Sequence, residues 1–495
     1  MTALKTLCEQ AGVIDPTPYL NARHFIDGRW HASTSGDTID VVDPGSESVI
    51  AKIARGTPED VEAAMDSSQK AFDQWRRRAP AERAELLFLL ADTVRQHSEL
   101  LSVLECLDSG KPYAEAEADI QGAASQLAYY AGLADKIEGT TTPLGEGFVS
   151  INRREPVGVT AHVAPWNFPL LTAVRGLAPA LAAGCTAVIK PSELTSLSTL
   201  TMASLFSQAG LPDGVVNVVT GYGSDIGDSV TSHRHVRHVT FTGSVATGKQ
   251  VMKSAADNVS SVLLELGGKS PAVVLADADI EQVAEDMVWA IYYNAGQVCT
   301  AGSRLVIHES QHDRFMQAFL PRVAQLTLGH GLKGRDIGAI NSAGHLDKIA
   351  AYVDDARARG LTIRCGGNVV TDPDSGKGFF FEPTVIDHLE RDDRLVQEEI
   401  FGPVLAVQVV TSDEQALAIA NGTDYGLAAC VYSRDVAKAM RLAAEIDAGQ
   451  VTINQYFAGG IYAPVGGTKR SGFGREKGLL ALDNYLRNKN VTVKL

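Results

Sequence analysis

VRHVTFTGSVATGKQVMKSAA, residues 236–256, is the stretch whose reading decides the fold. Val236–Thr242 mixes β-branched and aromatic residues over a short run, which reads as a strand. Gly243-Ser244 turns the chain. Residues 246–256 then read as a helix, with Ser244 as its N-cap. The same order recurs on both sides. Residues 157–163 read as a strand, 172–183 as a helix ending at Gly184, Thr186–Lys190 as a strand, 196–208 as a helix, and 215–220 as a strand before a glycine-rich turn. Beyond Pro271 come a strand at 273–275, a helix at 280–290, a strand at 305–307 and a helix from Gln311. Short apolar strands alternating with helices predict an α/β fold with a parallel, doubly wound sheet. There is no internal sequence repeat.

The chain has 495 residues, which predicts two or three domains. Its hydrophobic fraction of 45% and charged fraction of 21% are those of an ordinary globular protein. A net charge of -15 without a long basic run argues against nucleic-acid binding. No apolar stretch approaches a membrane span. The first 19 residues lack a basic start followed by an apolar run, so no signal peptide is expected and a cytoplasmic location follows. Cys8, Cys106, Cys185, Cys299, Cys365 and Cys430 are scattered without a C-x-x-C pair, which indicates neither a disulfide framework nor a metal site.

The N-terminal third reads as short strands over 24–42, then a helix with Thr57 as N-cap and Pro58 at its first position. Helices follow from about Pro80 to Leu104 and near 112–135. Residues 139–156 form a polar hairpin that cannot hold itself together in water. Residues 490–495 alternate as a terminal strand with an edge to cover. A hairpin arm laid on the edge of a second subunit would satisfy both, which predicts a homo-oligomer.

Four stretches can carry chemistry. Cys299 lies among small residues in Asn294-Ala295-Gly296-Gln297-Val298-Cys299-Thr300-Ala301-Gly302-Ser303-Arg304. It is either a nucleophile, active as thiolate, or a packed core thiol. Glu265, in Glu265-Leu266-Gly267-Gly268-Lys269, is a candidate general base or a surface ion-pair partner. Asn167, in Pro165-Trp166-Asn167-Phe168-Pro169, can aim its amide at an oxyanion or hold a turn. Lys190 and Glu193 stand at a strand end, where doubly wound sheets bind ligands. For dinucleotide phosphates two turns compete, Gly221–Gly227 and Gly243-Ser244, and spacing alone prefers neither.

Taken together, PWNFP (165–169), KPSE (190–193), FTGS (241–244), ELGGK (265–269), GQVC (296–299), EEIFGPV (398–404) and GGTKRSGFGRE (466–476) resemble the aldehyde dehydrogenase superfamily, in its order and approximate spacing from about Phe25 onward. The resemblance implies a Rossmann-like NAD-binding domain (1–137 and 157–268), an α/β catalytic domain (269–481) and a bridging oligomerisation element (138–156 and 482–495). It implies that Cys299 attacks an aldehyde to give a thiohemiacetal, that Asn167 and the Cys299 N–H hold its oxyanion, and that Glu265 activates the water that hydrolyses the thioester. It settles the glycine contest for Gly243 and Ser244 as the pyrophosphate site. Lys190 and Glu193 then meet the adenosine ribose, Glu399 meets the nicotinamide ribose, Phe401 holds the nicotinamide, and Trp166 lines the cofactor path. A carboxylate at 193 repels a 2′-phosphate, so NAD is expected over NADP.

Three positions depart from the common pattern. Val465 stands where an aromatic residue is frequent, and Arg175 and Gly176 stand where Trp and Lys are frequent. With Phe168 they are expected along the substrate tunnel, widened for a bulky aldehyde. Arg175 either forks onto a substrate carboxylate or faces solvent or a neighbouring acid. The absence of Lys at 176 breaks the Lys–Glu proton route proposed for some relatives, although Glu476 is present. A CoA-acylating enzyme lacks the water-activating Glu, and Glu265 is here. A protein that kept the fold and lost the chemistry would not need Cys299, Glu265 and Asn167 together.

Overall fold

The computed structural model describes residues 2–21 and 23–495. Its frame is two large sheets. The first has eight strands in the order Arg29–His31, His24–Ile26, Val216–Val218, Thr186–Lys190, Val159–Val163, Val236–Thr242, Ser261–Glu265 and Gly472–Phe473. The five central strands run parallel, and the outer pairs are antiparallel. From Val159–Val163 the chain steps outward to Thr186–Lys190 and Val216–Val218, then returns to the other side with Val236–Thr242 and Ser261–Glu265. The strand order therefore reverses between Val159–Val163 and Val236–Thr242. The loops leaving their carboxyl ends separate there and open a crevice.

The second sheet has seven strands in the order Thr362–Cys365, Thr384–Asp387, Val404–Val410, Arg304–His308, Pro271–Val274, Ala428–Tyr432 and Gln450–Ile453. All but the first run parallel. Its central strands, Val404–Val410, Arg304–His308, Pro271–Val274 and Ala428–Tyr432, are buried on both faces, as a parallel sheet covered by helices requires.

Local signals set many element ends. Thr57 and Asp60 close a reciprocal capping box on Pro58–Trp75. Ser244 caps Val245–Ala256 by accepting from the Thr247 N–H. The helix expected over 172–183 begins earlier, at Pro169, because proline fits the first turn, where no backbone donor is missed. The long helix expected from Pro80 breaks at His97 into Pro80–Gln96 and Ser98–Ser109.

One expectation needs correcting. The terminal strand, Leu486–Lys494, does not wait for a neighbouring subunit. It pairs antiparallel with this chain's own Phe148–Pro156 along its full length, from Leu486 opposite Pro156 to Lys494 opposite Phe148. Thr140–Thr141 adds a third strand beyond. Nine residues of main-chain ladder within one chain need no second subunit to form. One edge of the terminal strand stays outermost in this sheet, and Phe148, Val149, Ile151, Val491 and Val493 are exposed on the sheet. No helix among the described residues is long and apolar enough to cross a membrane.

Candidate functional site

One cleft of about 1240 Å³ gathers the predicted residues. It begins at the crevice of the first sheet and runs to the loop before the second sheet's Arg304–His308. Asn167, Lys190, Gly243, Ser244, Glu265, Cys299, Glu399, Phe401, Trp166, Phe168, Arg175, Glu193 and Val465 all line it. Most stand where a strand hands over to a loop. Lys190 and Glu265 end their strands, and Gly243-Ser244 and Trp166-Asn167 follow the two strands at the reversal.

Cys299 follows helix Ile280–Tyr292 and a 3₁₀ turn at Tyr293–Gly296. Asn294 (φ 49°) and Ala295 (φ 52°) both take the left-handed conformation, which costs a non-glycine residue energy and is kept where surroundings enforce it. Buried hydrogen bonds hold this turn on several sides. The Asn294 N–H donates to Glu115 Oε2 (2.9 Å), its Nδ2 donates to the Asn167 carbonyl (3.0 Å), and the Asn341 N–H donates to Gln297 Oε1 (2.9 Å). Asn167 Nδ2 in turn donates to the Gln297 carbonyl (2.8 Å), tying the predicted oxyanion donor to the thiol loop.

Electrostatics divides the thiol end. Burial pushes the Cys299 thiol up to about 11, and Arg175 is the main charge pulling it back. Burial, then repulsion from Glu476, pushes Glu265 up to about 8, and its Oε1 has no partner. Arg175 is not turned to solvent. Its side chain, 15% exposed, forms an ion pair with that of Glu476, which is 2% exposed. Burial also raises Glu476, and the Arg175 guanidinium counters it. Gly176 leaves no room for the frequent lysine, since a Cβ there would meet His162 Nδ1 at 2.6 Å.

The other arm of the cleft suits a dinucleotide. Lys190 Nζ lies 3.7 Å from Glu193 Oε2 and donates to the Pro191 carbonyl (3.0 Å). Glu399 Oε1 accepts from the Gly268 N–H (2.9 Å). Trp166 meets Phe401 and His345 edge-on, at 5.4 and 5.3 Å between ring centres. His345 Nε2 lies 2.7 Å from the Phe401 carbonyl, bracing Phe401 at φ 62°. Gly223, at the start of helix Gly223–Thr231, lines the same cleft as Gly243. The two glycine turns are thus neighbours on one crevice.

Among the cleft residues that the sequence did not point to are His345, Asp119, Tyr293, Phe457 and Lys477. Asp119 is buried against Lys111 Nζ (2.6 Å), which also sits 4.5 Å over the Phe168 ring. Tyr293 stacks on Phe168 at 6.2 Å. Only the position of Lys477 beside Glu476 offered a signal.

The family model described as "Aldehyde dehydrogenase family" matches residues 30–491. The chain is 40% identical over 472 residues to a betaine aldehyde dehydrogenase of Bacillus subtilis, covering 94% of this chain and 96% of that one. It is 41% identical to an aminoaldehyde dehydrogenase of Zea mays, with 94% of each chain covered. Among solved structures, the betaine aldehyde dehydrogenase of Staphylococcus aureus in complex with NAD+ is 40% identical, with a TM-score of 0.95 and 99% and 97% of the two chains covered.

Proposed function

Since the chain belongs to the aldehyde dehydrogenase family, we propose that this cleft oxidises an aldehyde to its carboxylic acid with NAD, through Cys299. The observation that carries the reading is the convergence of Cys299, Glu265 and Asn167 in one cleft that continues into a dinucleotide-shaped crevice. In each turnover the Cys299 thiol loses its proton and its sulfur attacks the aldehyde carbon, with Arg175 as the favourable charge on the thiolate. Asn167 Nδ2, which keeps a second hydrogen beyond the one given to Gln297, donates with the Cys299 N–H to the new oxyanion. Bound NAD supplies the acceptor for the hydride that leaves this carbon. What remains is a thioester on Cys299. Glu265 takes a proton from water, the water adds to the thioester, and the acid departs as the thiol reforms.

The residues present fit the dinucleotide. Helix Val245–Ala256 starts beside Gly243 and Ser244, which line the cleft, and a helix N-terminus suits a pyrophosphate. Thr242 Oγ1, just before them, is buried without a partner. Lys190 and Glu193 would hold the adenosine ribose and Glu399 the nicotinamide ribose, with Trp166 and Phe401 flanking the cofactor. Glu193 supports NAD over NADP.

The substrate is read as a bulky or carboxylate-bearing aldehyde, with Phe168, Arg175 and Val465 along its path. Arg175 is held by Glu476 and acts there on the thiol rather than forking freely onto the substrate. A cationic aldehyde is the second reading, favoured by the aromatic pair Phe168–Tyr293 beside Asp119 and by the names of the relatives. Residues 1–137 with 157–268 are read as the NAD-binding domain, 269–481 as the catalytic domain and the three-stranded sheet as the bridging element. The exposed apolar residues of that sheet support a homodimer or homotetramer. The unpaired cysteines support a cytoplasmic location.

The test is NADH formation at 340 nm by wild type and Cys299→Ser over aliphatic, aromatic, amino- and carboxy-aldehydes. Activity in the wild type that is lost in the variant is expected. Equal activity in both would overturn the reading.

A further inference from the structure

We propose that Lys477 is a specificity-determining residue, a cation that receives a carboxylate carried by the aldehyde away from its reacting carbon. This rests on the reading of the cleft as an aldehyde-oxidising site and names the group that selects its substrate.

The acidic groups around the cleft are mostly answered. Asp119 is answered by Lys111 at 2.6 Å. Glu476 is answered by Arg175. Glu193 has Lys190 at 3.7 Å, and Glu399 accepts from the Gly268 N–H. Asp228 accepts from Ser254 Oγ at 2.6 Å. Glu265, pushed up to about 8, is mostly protonated at neutral pH. Lys253 and Lys348 also line the cleft without a carboxylate within 4 Å among the described residues, Lys348 donating to the Glu399 carbonyl at 3.3 Å, but Lys477 stands at the thiol end, where its charge meets those of Arg175, Glu476 and Cys299. Its ammonium has three hydrogens and donates to the Gly460 carbonyl at 3.3 Å, and no carboxylate lies within 4 Å of it among the described residues. Phe457, Ala458, Gly460 and Val465 line the same cleft, and the carboxyls that act on the ammonium from farther off are Glu476, which Arg175 answers, and Glu265.

The backbone also holds Lys477 in this place. Its φ is 58°, the left-handed region that a lysine rarely takes. Two bonds between Val465 and Glu476 (2.8 Å each) and one from the Gly478 N–H to the Ile461 carbonyl (2.9 Å) fix the chain on both sides. Lys477 is half-buried, and partial burial together with the nearby Arg175 charge pulls its ammonium down to about 8, so it is still mostly charged at neutral pH. A carboxylate on the substrate completes its shell. Arg175 next to it, already paired, adds to the positive field. A trimethylammonium or amino group at the same depth meets repulsion instead.

The experiment compares kcat/KM for carboxylate-bearing semialdehydes of several lengths with neutral aldehydes of matching length, and with aminoaldehydes. The proteins are wild type, Lys477→Arg, Lys477→Met and Lys477→Glu. Wild type is expected to favour the carboxylate by tenfold or more, since a hydrogen bond to a charged group supports a ratio of about that size. Lys477→Met should lose that ratio mainly through KM, Lys477→Arg should restore it, and Lys477→Glu should turn it toward aminoaldehydes. A parallel calorimetric titration with succinate and glutarate reads the anion site without turnover, and binding should weaken about tenfold in Lys477→Met. No carboxylate preference in wild type, or equal losses on neutral and acidic aldehydes, overturns the proposal. If wild type oxidises no aldehyde, the reaction reading fails. The titration then still judges Lys477, and equal dicarboxylate binding by both proteins overturns its role.

Discussion

Replacing Arg175 with methionine leaves the Glu476 carboxyl buried without its partner. The cost has a ceiling set by the escape route. A carboxylate that cannot be solvated takes up a proton, and from an ordinary value of 4.5 this costs about 1.36 kcal/mol per pH unit. The ceiling is therefore about 3.4 kcal/mol at pH 7 and about 2.0 kcal/mol at pH 6. The sign follows from linkage. In the variant the folded carboxyl lies well above its unfolded value, so the penalty is absent below about pH 4.5 and grows as pH rises toward the folded value. Thermal melts of wild type, Arg175→Met and Arg175→Met/Glu476→Gln across pH 5–8 read it directly. At roughly 1 °C per kcal/mol for a chain of 495 residues, the single variant should melt about 3 °C lower at pH 7 and about 2 °C lower at pH 6. The double variant, with no charge left to bury, should recover most of the loss. A gap that does not change with pH, or a double variant as unstable as the sum of its singles, would refute the buried ion pair as the cause.

Three further outcomes follow from the site. Alkylation of Cys299 by iodoacetamide in the apoenzyme should climb about tenfold per pH unit up to about pH 11, and Arg175→Met should slow it at every pH below that. Glu265→Gln should cut kcat by about 10²–10⁴-fold while the first hydride transfer persists as a burst of NADH. The rise of wild-type kcat with pH through about 8 should vanish in the variant, and an unchanged profile would remove Glu265 as the base. Gly267→Ala should raise KM for NAD, measured by initial rates at saturating aldehyde, because a Cβ there would lie 2.1 Å from Glu399 Oε2.

The parts that could be read in advance are local. The strand Val236–Thr242, the Ser244 cap and the Thr57 box depend on residues a few positions apart, and periodicity and capping chemistry report them. Trp166-Asn167, Lys190, Gly243-Ser244 and Glu265 came together because each ends or follows a strand, and the carboxyl ends of a parallel sheet share one side. What could not be read is long-range. Arg175 and Glu476 are 301 positions apart, and only the packing of the C-terminal segment onto helix Pro169–Ala183 makes them partners. The pairing of Leu486–Lys494 with Phe148–Pro156 is of the same kind, since an alternating strand shows its faces but not its neighbour. Lys477 carries no motif, and its importance comes from the anion it lacks.

The cleft takes its far wall from late in the chain. Val465 and Lys477 line it, Glu476 holds Arg175, and Gly472–Phe473 adds the last strand to the first sheet. During synthesis a ribosome releases residues in order, so a nascent chain already carries its thiol, its base and its phosphate turn well before this segment emerges. Until then Arg175 has no counter-charge and the crevice has no wall on that side. A chain cut short by a few dozen residues would lack Glu476 and so leave the Arg175 guanidinium without its ion-pair partner beside the thiol.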